Sequence, residues 1–186
     1  MTHSQPLSEN ELAPTHIANE TATESAEAHI DGISVMLGKI PSGLFVVTWR
    51  EDSHDRGMLA SWVMQAGFVP PLITLAVDRT RNLLAAIQRG TPFVVNVLGE
   101  SQRSLLAKFG RPAGPGDDPF AGLTITRTPT GIAAIAQTTG WLECQCVGQT
   151  SVESGDHAVV LARITAAQAG SQAGPLVHLR RNGLRY

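Results

Sequence analysis

Two places in this sequence carry residues whose types and spacing suit chemistry. The first is the turn Asp78–Arg81, DRTR, which leads from an apolar run into a helical pattern. Unpaired N–H groups at a helix start, the Thr80 hydroxyl and the cations Arg79 and Arg81 suit one anion, a phosphate for example. An ordinary N-cap at Thr80 between two solvated arginines fits the same letters. The second is LASWVMQ, residues 59–65. Ala60 and Ser61 are small within an otherwise bulky stretch, so a flat ring can approach the backbone there and use its N–H and C=O groups. A strand whose small residues fit a barrel bend reads the same way.

No self-sufficient catalytic constellation accompanies them. GxSxG, GxGxxG, the P-loop and HExxH are all missing, and three of the six histidines, His3, His16 and His29, precede residue 30. Difficult chemistry must therefore come from a bound cofactor. Cys144 and Cys146 stand two apart in WLECQCVGQT, which reads as a strand, so alternation puts them on one face. Such neighbours make a poor disulfide, and no nearby Cys or His completes a zinc site, so packing is the expectation. No metal is expected.

Composition narrows the partners. A chain of 186 residues, 42% hydrophobic, is long enough for one domain with a sizeable core. A formal charge of −2 with scattered Lys and Arg argues against nucleic acid, which needs a concentrated basic face. The apolar run Gly57–Val77 is divided by Pro70 and Pro71, and neither half reaches the ~20 residues of a membrane-spanning helix. No membrane is expected as a partner. Residues 1–28 contain no Lys or Arg and no central apolar run, which fits neither a secretory signal nor a transit peptide. They read as a mobile tail, ahead of one domain over 29–186. With the reduced-cysteine reading, a cytoplasmic location is expected.

The elements that must position these residues are mostly strands. Ile33, Met36, Leu37 and Ile40 recur at helical spacing until Pro41. GLFVVTW (43–49) reads as a strand, REDSHDR as an exposed connection, and GMLASWVM as a second strand making a hairpin with the first. PLITLAV (71–77) and PFVVNVL (92–98) are further strands flanking RNLLAAIQRG, a helix with Leu83, Leu84 and Ile87 on one face and Gly90 as its stop. SQRSLLAKFG is a second short helix, and RPAGPGDDPF after it is a loop of the length that often covers a site. From LTITRTP to PLVHL the pattern is β throughout, with GDH (155–157) as a turn opening a strand. Many short strands without βαβ alternation predict a mainly β antiparallel barrel with a few short helices.

The motifs also occur in a telling order: GLFVVT, GMLASWVMQ, PPLITLAVDR, FVVNVL and GDH. In this the chain resembles the flavin reductase-like, FMN-binding split-barrel family over about residues 33–186. LASWVMQAGF and PGDDPFAGL look most like the reductase-type domain at the carboxyl end of cyanobacterial flavodiiron proteins. The resemblance implies an antiparallel, Greek-key-like split barrel, FMN as cofactor, NAD(P)H as co-substrate, a homodimer with the flavin near the subunit contact, and an electron-acceptor protein as a further partner. It implies flavin contacts from Leu59, Ala60, Ser61, Trp62 and Val63, with Gln65 close by, and a phosphate turn at Asp78, Arg79, Thr80 and Arg81. It adds Asn96 as the polar residue of FVxNVL, and His157 of GDH as the residue positioning the nicotinamide. Leu59, Trp62 and Gln65 depart from the commoner TASSFTSVS pattern. The implied activity is flavin reduction by NAD(P)H. Its alternatives are an electron-transfer flavoprotein serving a partner and a non-catalytic flavin- or haem-binding barrel.

Overall fold

The structure, a computed structural model, describes residues 31–112, 114, 117–170 and 174–184, with only the backbone of 149–154. The expected tail, residues 1–28, and its boundary with the domain lie outside the described residues. Two compact units are present, Pro41–Leu179 and a smaller one joining the segments on either side of it. In the smaller unit, helix α1 spans 31–38, and the Arg180 and Gly183 N–H groups donate to the Gly38 and Ser34 carbonyls at 3.0 and 2.7 Å. The apolar residues expected to give α1 its packing face, Ile33, Met36 and Ile40, are exposed, whereas Ser34 is buried. A tight approach of backbones sets that face instead, since a Cβ on Gly183 would collide with Leu37.

The larger unit is built on strands β1 (Ser42–Gly43), β2 (Phe45–Glu51), β3 (His54–Ala60), β4 (Val63–Gly67) and β5 (Leu72–Asp78). Helix α2 (Asn82–Gln88), β6 (Phe93–Val97) and α3 (Ser104–Phe109) follow. The chain finishes with β7 (Ile125–Arg127), β8 (Ala133–Ile135), β9 (Gly140–Ser154), β10 (His157–Ala169) and β11 (Val177–His178). Seven strands form one antiparallel sheet in the order β3-β2-β6-β9-β10-β5-β4. This is the mainly β antiparallel barrel the patterning predicts, in the split form the resemblance implies. Its two edges, β3 and β4, are consecutive in the chain and separated only by Ser61 and Trp62. Two residues of extended chain reach ~7 Å, so the sheet must curl until its edges nearly meet.

Alternation explains the two sides of the curled sheet. Val47 and Trp49 of β2 join Ile73, Leu75 and Val77 of β5 and Ala158, Val160 and Ala162 of β10 in one core. Leu83, Leu84, Ala86 and Ile87 of α2 belong to the same cluster, each large side chain worth ~1.5–3 kcal/mol when buried. Gly90, at φ +84°, ends that helix as its position predicts. Val46 points the opposite way, into a second core with Leu105, Phe109, Phe120, Ala133 and Ile135. β2 is thus covered on both faces. Cys144 lies in the first core and Cys146 packs against it, the shared face that alternation requires.

The β2–β3 connection is shorter than REDSHDR suggests. Only Asp52 and Ser53 turn, both at positive φ, in the two-residue form that matches strand twist. Glu51, His54, Asp55 and Arg56 are strand residues as a result. GMLASWVM is likewise not one strand, because it breaks at Ser61–Trp62 and resumes on the opposite edge of the sheet.

Candidate functional site

The break between the barrel edges brings several predicted residues together. Ser61 is 5% exposed and its hydroxyl has no hydrogen-bond partner. Trp62 accepts from the Ala76 N–H through its carbonyl at 3.0 Å, and its ring lies 4.7 Å from that of His157 at a 53° tilt. His157 opens β10 after the two-residue turn Gly155–Asp156, with Gly155 at φ +61°. It is paired in register with Asp78, the last residue of β5. One corner of the sheet therefore holds Ser61, Trp62, His157 and the Asp78–Arg81 turn, although 96 positions separate Ser61 from His157.

Asp156 orients the imidazole. Its Oδ1 lies 2.8 Å from His157 Nδ1, and that hydrogen bond, with the charge of His157, holds the Asp156 carboxyl below its usual range. An ionised carboxylate only accepts, so Nδ1 carries the proton and Nε2 is the nitrogen left to meet a ligand. Asp156 stands in the GDH motif, and its adjacency to His157 is the signal by which sequence reasoning would have assigned it this part.

The Asp78–Arg81 turn has a different construction from the anion cradle expected of it. Thr80 donates through both its backbone N–H, at 2.8 Å, and its hydroxyl, at 2.7 Å, to Asp78 Oδ1. These bonds hold the Asp78 carboxyl below the ordinary aspartate range, with smaller help from His157 and Arg81. Arg79 donates its backbone N–H to the Asp156 carbonyl at 3.0 Å and its guanidinium to the Gly155 carbonyl at 3.3 Å. The Thr80 donors are thus spent on a carboxylate, and Arg79 ties β5 to the His157 turn. Of the four residues, Arg81 faces a cleft of about 190 Å³ without such a commitment of its guanidinium to a hydrogen bond. Arg56 and Arg111 line the same cleft with Trp49 and Thr80.

Asn96 lies away from the break, inside the fold. It is fully buried, donating to the Val46 carbonyl at 2.9 Å and accepting from the Ile135 N–H at 2.8 Å. The Thr48 hydroxyl beside it bonds the Ala133 carbonyl. Together they fasten β8 across the outer face of β2 and β6. No polar atom of Asn96 remains for a ligand. Leu59 packs against the second core, Ala60 and Val63 belong to the first, and Gln65 is exposed on β4. Arg56, Arg111 and Trp49 escaped the sequence reading because residues so far apart meet only through the fold.

The residues at the break fit a flavin. A buried hydroxyl without a partner is an unmet polar group that a ring bearing carbonyls and nitrogens would satisfy. The facing edges of β3 and β4 also present backbone groups beside it. The sequence model of the family described as flavin reductase like domain matches residues 37–184. The chain belongs to that family. Flavin binding comes with membership, and the curled sheet with its break at Ser61–Trp62 is this member's version of the split barrel. Diflavin flavoprotein A 1 of Synechocystis sp. is 34% identical over 152 residues, covering 81% of this chain and 26% of that protein. A Nostoc sp. relative of the same kind is 34% identical over 171 residues, or 91% and 29%. The flavin reductase-like chain thus spans less than a third of these curated relatives. Among solved structures, an NADH:FAD oxidoreductase of Streptomyces globisporus superposes with a TM-score of 0.71 at 22% identity, covering 92% of this chain and 93% of that one. The styrene monooxygenase flavin reductase of Pseudomonas putida superposes at 0.67 with 23% identity, over 78% and 90%. At those identities the structures attest the fold. Among the described residues no helix is long and apolar enough to cross a membrane, and no group of three His, Cys, Asp or Glu side chains could hold a metal ion.

Proposed function

We propose that this domain binds FMN at the Ser61–Trp62 break and reduces it with NADH or NADPH. The observation that carries the reading is the buried, unpartnered Ser61 hydroxyl at the gap between the sheet edges, beside Trp62, whose ring packs against His157. Bound flavin supplies the redox chemistry, accepting a hydride and releasing electrons to an acceptor. The chain's own part is binding and orientation. Ser61 donates to the ring, Trp62 covers the gap, and His157, fixed by Asp156, presents Nε2 to the nicotinamide amide. A structure of the Streptomyces protein is described in complex with NAD and FAD fragments, which supports a flavin and a nicotinamide nucleotide as ligands of this fold.

The second reading, a flavoprotein that passes electrons to a partner protein, draws support from the diflavin relatives, of which this domain is only a part. An absorbance titration under anaerobic conditions separates the two. The purified chain, loaded with FMN, is expected to lose its visible flavin bands when either NADH or NADPH is added. His157→Ala is expected to keep FMN affinity and slow that loss, by up to ~100-fold for a donor misplaced by about an ångström. Flavin that binds yet is bleached by neither donor would sink the reductase reading and leave the electron-transfer one standing.

A further inference from the structure

We infer that Trp62 is a positioning residue that acts through His157, its indole reaching across β5 to brace the imidazole on its face. Strand register puts the two side chains on one surface. Val63 and Met64 of β4 pair with Leu75 and Thr74, and the Ala76 N–H donates to the Trp62 carbonyl, so Trp62 stands opposite Ala76. On the other side of β5, Ala76 pairs with Val159 of β10, and Asp78 with His157. Trp62, Ala76 and Val159 therefore form one row across three strands, and Asp78 and His157 belong to the next row on the same face. Ile73, Leu75 and Val77 point into the first core, so that face is the outward one.

Two strand spacings of ~4.8 Å separate β4 from β10, too far for a short side chain to span. The rings of Trp62 and His157 nonetheless meet, centroids 4.7 Å apart at a tilt of 53°, an arrangement aromatic pairs favour. Ala76 makes this possible, because the residue between them is small enough for an indole to pass over. Exposure records the consequence. Val159, in the row of Trp62, is 36% exposed, whereas His157, on the same outward face, is 9% exposed. The indole leans past the first and covers the second. Asp156 holds the imidazole by one edge, at Nδ1, and a single bond leaves the ring free to swing about it. A second ring packed on the face removes that freedom and fixes the direction of Nε2.

The inference rests on the reading of His157 as the group that positions the nicotinamide. It adds Ala76, which that reading leaves without a part, as the residue that lets the brace form. The test has one arm without cofactor and one with it. In the full chain free of flavin, the His157 ring-proton resonance, identified by its loss in His157→Ala, carries the ring-current shift of the indole. Trp62→Leu removes the indole, and Ala76→Val obstructs its path while keeping both rings. Each is expected to move that resonance towards its random-coil position, and Trp62→Phe, which keeps a ring, to move it less.

With FMN bound, Trp62→Leu and Ala76→Val are each expected to slow reduction by saturating NADH or NADPH about tenfold, within the ~100-fold that a donor misplaced by about an ångström can cost. Ala76→Val should leave FMN affinity within about twofold, as for other surface substitutions, and it serves if the Trp62 variant does not fold. In the His157→Ala background the same substitutions should slow reduction further by less than about twofold, because a residue acting through His157 then has nothing to act through. A resonance unmoved by either variant overturns the brace. So does a rate loss as large without His157 as with it, which would put Trp62 on the flavin directly, and so does a moved resonance with an unchanged rate. Should bound flavin be bleached by neither donor, the reductase reading fails separately, and the resonance alone decides whether the brace stands.

Discussion

The clearest difference among the polar residues is between those whose partners lie within the protein and those left waiting. Glu143 is of the first kind. It is 2% exposed in β9, and its Oε2 accepts from the Thr130 N–H at 3.2 Å and hydroxyl at 2.9 Å, while the Thr165 hydroxyl reaches Oε1 at 3.4 Å. Burial pushes this carboxyl up, but hydrogen bonds from Thr128, Thr130 and Thr165 outweigh burial and leave it below the ordinary glutamate range. A folded-state pKa below the unfolded value of about 4.3 means that folding favours the ionised form. The stabilisation is therefore complete above that value and disappears as pH falls through the lowered one. Glu143→Gln is expected to cost about 1–3 kcal/mol at pH 7, and the gap to wild type should close in acid. Urea midpoints of both proteins from pH 7 to pH 3 check this, and a constant gap would contradict it. Cys144 next to it is the inert counterpart, its thiol pushed up to about 12 by burial and by Glu143. The packing reading of the cysteines was legible from spacing alone. The partners of Asn96 and Glu143 were not, because a buried amide and a ligand-binding amide are the same letter until β8 and the threonine-bearing turn are brought across the sheet.

At the scale of elements, β3 and α3 fix where Arg111 stands. Phe109 ends α3 and packs edge-on against Phe120, ring centroids 5.6 Å apart. Both press on Gly57 in β3, where an added Cβ would lie 2.7 Å from Phe109 Cε1 and 3.4 Å from Phe120 Cζ. The glycine is there to admit an aromatic ring, and the ring holds the turn that carries Arg111 over the cleft. Gly57→Ala is expected to destabilise the chain by about 1–3 kcal/mol, since neither ring can retreat within a packed core. That corresponds to a fall in melting midpoint of roughly 2–4 °C per kcal/mol for a chain of this size. Calorimetry measures this, and an unchanged midpoint would show that the loop gives way freely. Sequence patterning located β2, β5, β6 and α2 within a residue or two, as their periodicities were strong, and placed the start of α3 three residues early. It missed the interruption at Ser61–Trp62, since nothing local distinguishes a small residue within a strand from one where the chain crosses between sheet edges. That crossing is a property of closure.

For the whole molecule, the same closure leaves one conspicuous surface. β4 is an edge strand with Met64 67% exposed, and the turn after it carries Phe68 and Val69 at 84% and 96%. Large apolar side chains exposed together in this way are a place where a second chain packs. The five residues of β4 link the Ser61–Trp62 break to this turn, so a contact running along β4 would reach from the turn towards the flavin site. We propose a homodimer with this edge at its contact. Phe68→Glu tests the idea with little risk to folding, since the side chain it replaces is already in water. The wild-type chain at micromolar concentration should scatter light with twice the mass of one chain, and Phe68→Glu should shift it towards the single mass. If the contact also braces the break, the variant should bind FMN more weakly at concentrations where it is monomeric and recover affinity as concentration rises. A wild-type chain that is monomeric at micromolar concentration and still binds FMN would defeat the dimer, and with it any share of the site in the subunit contact.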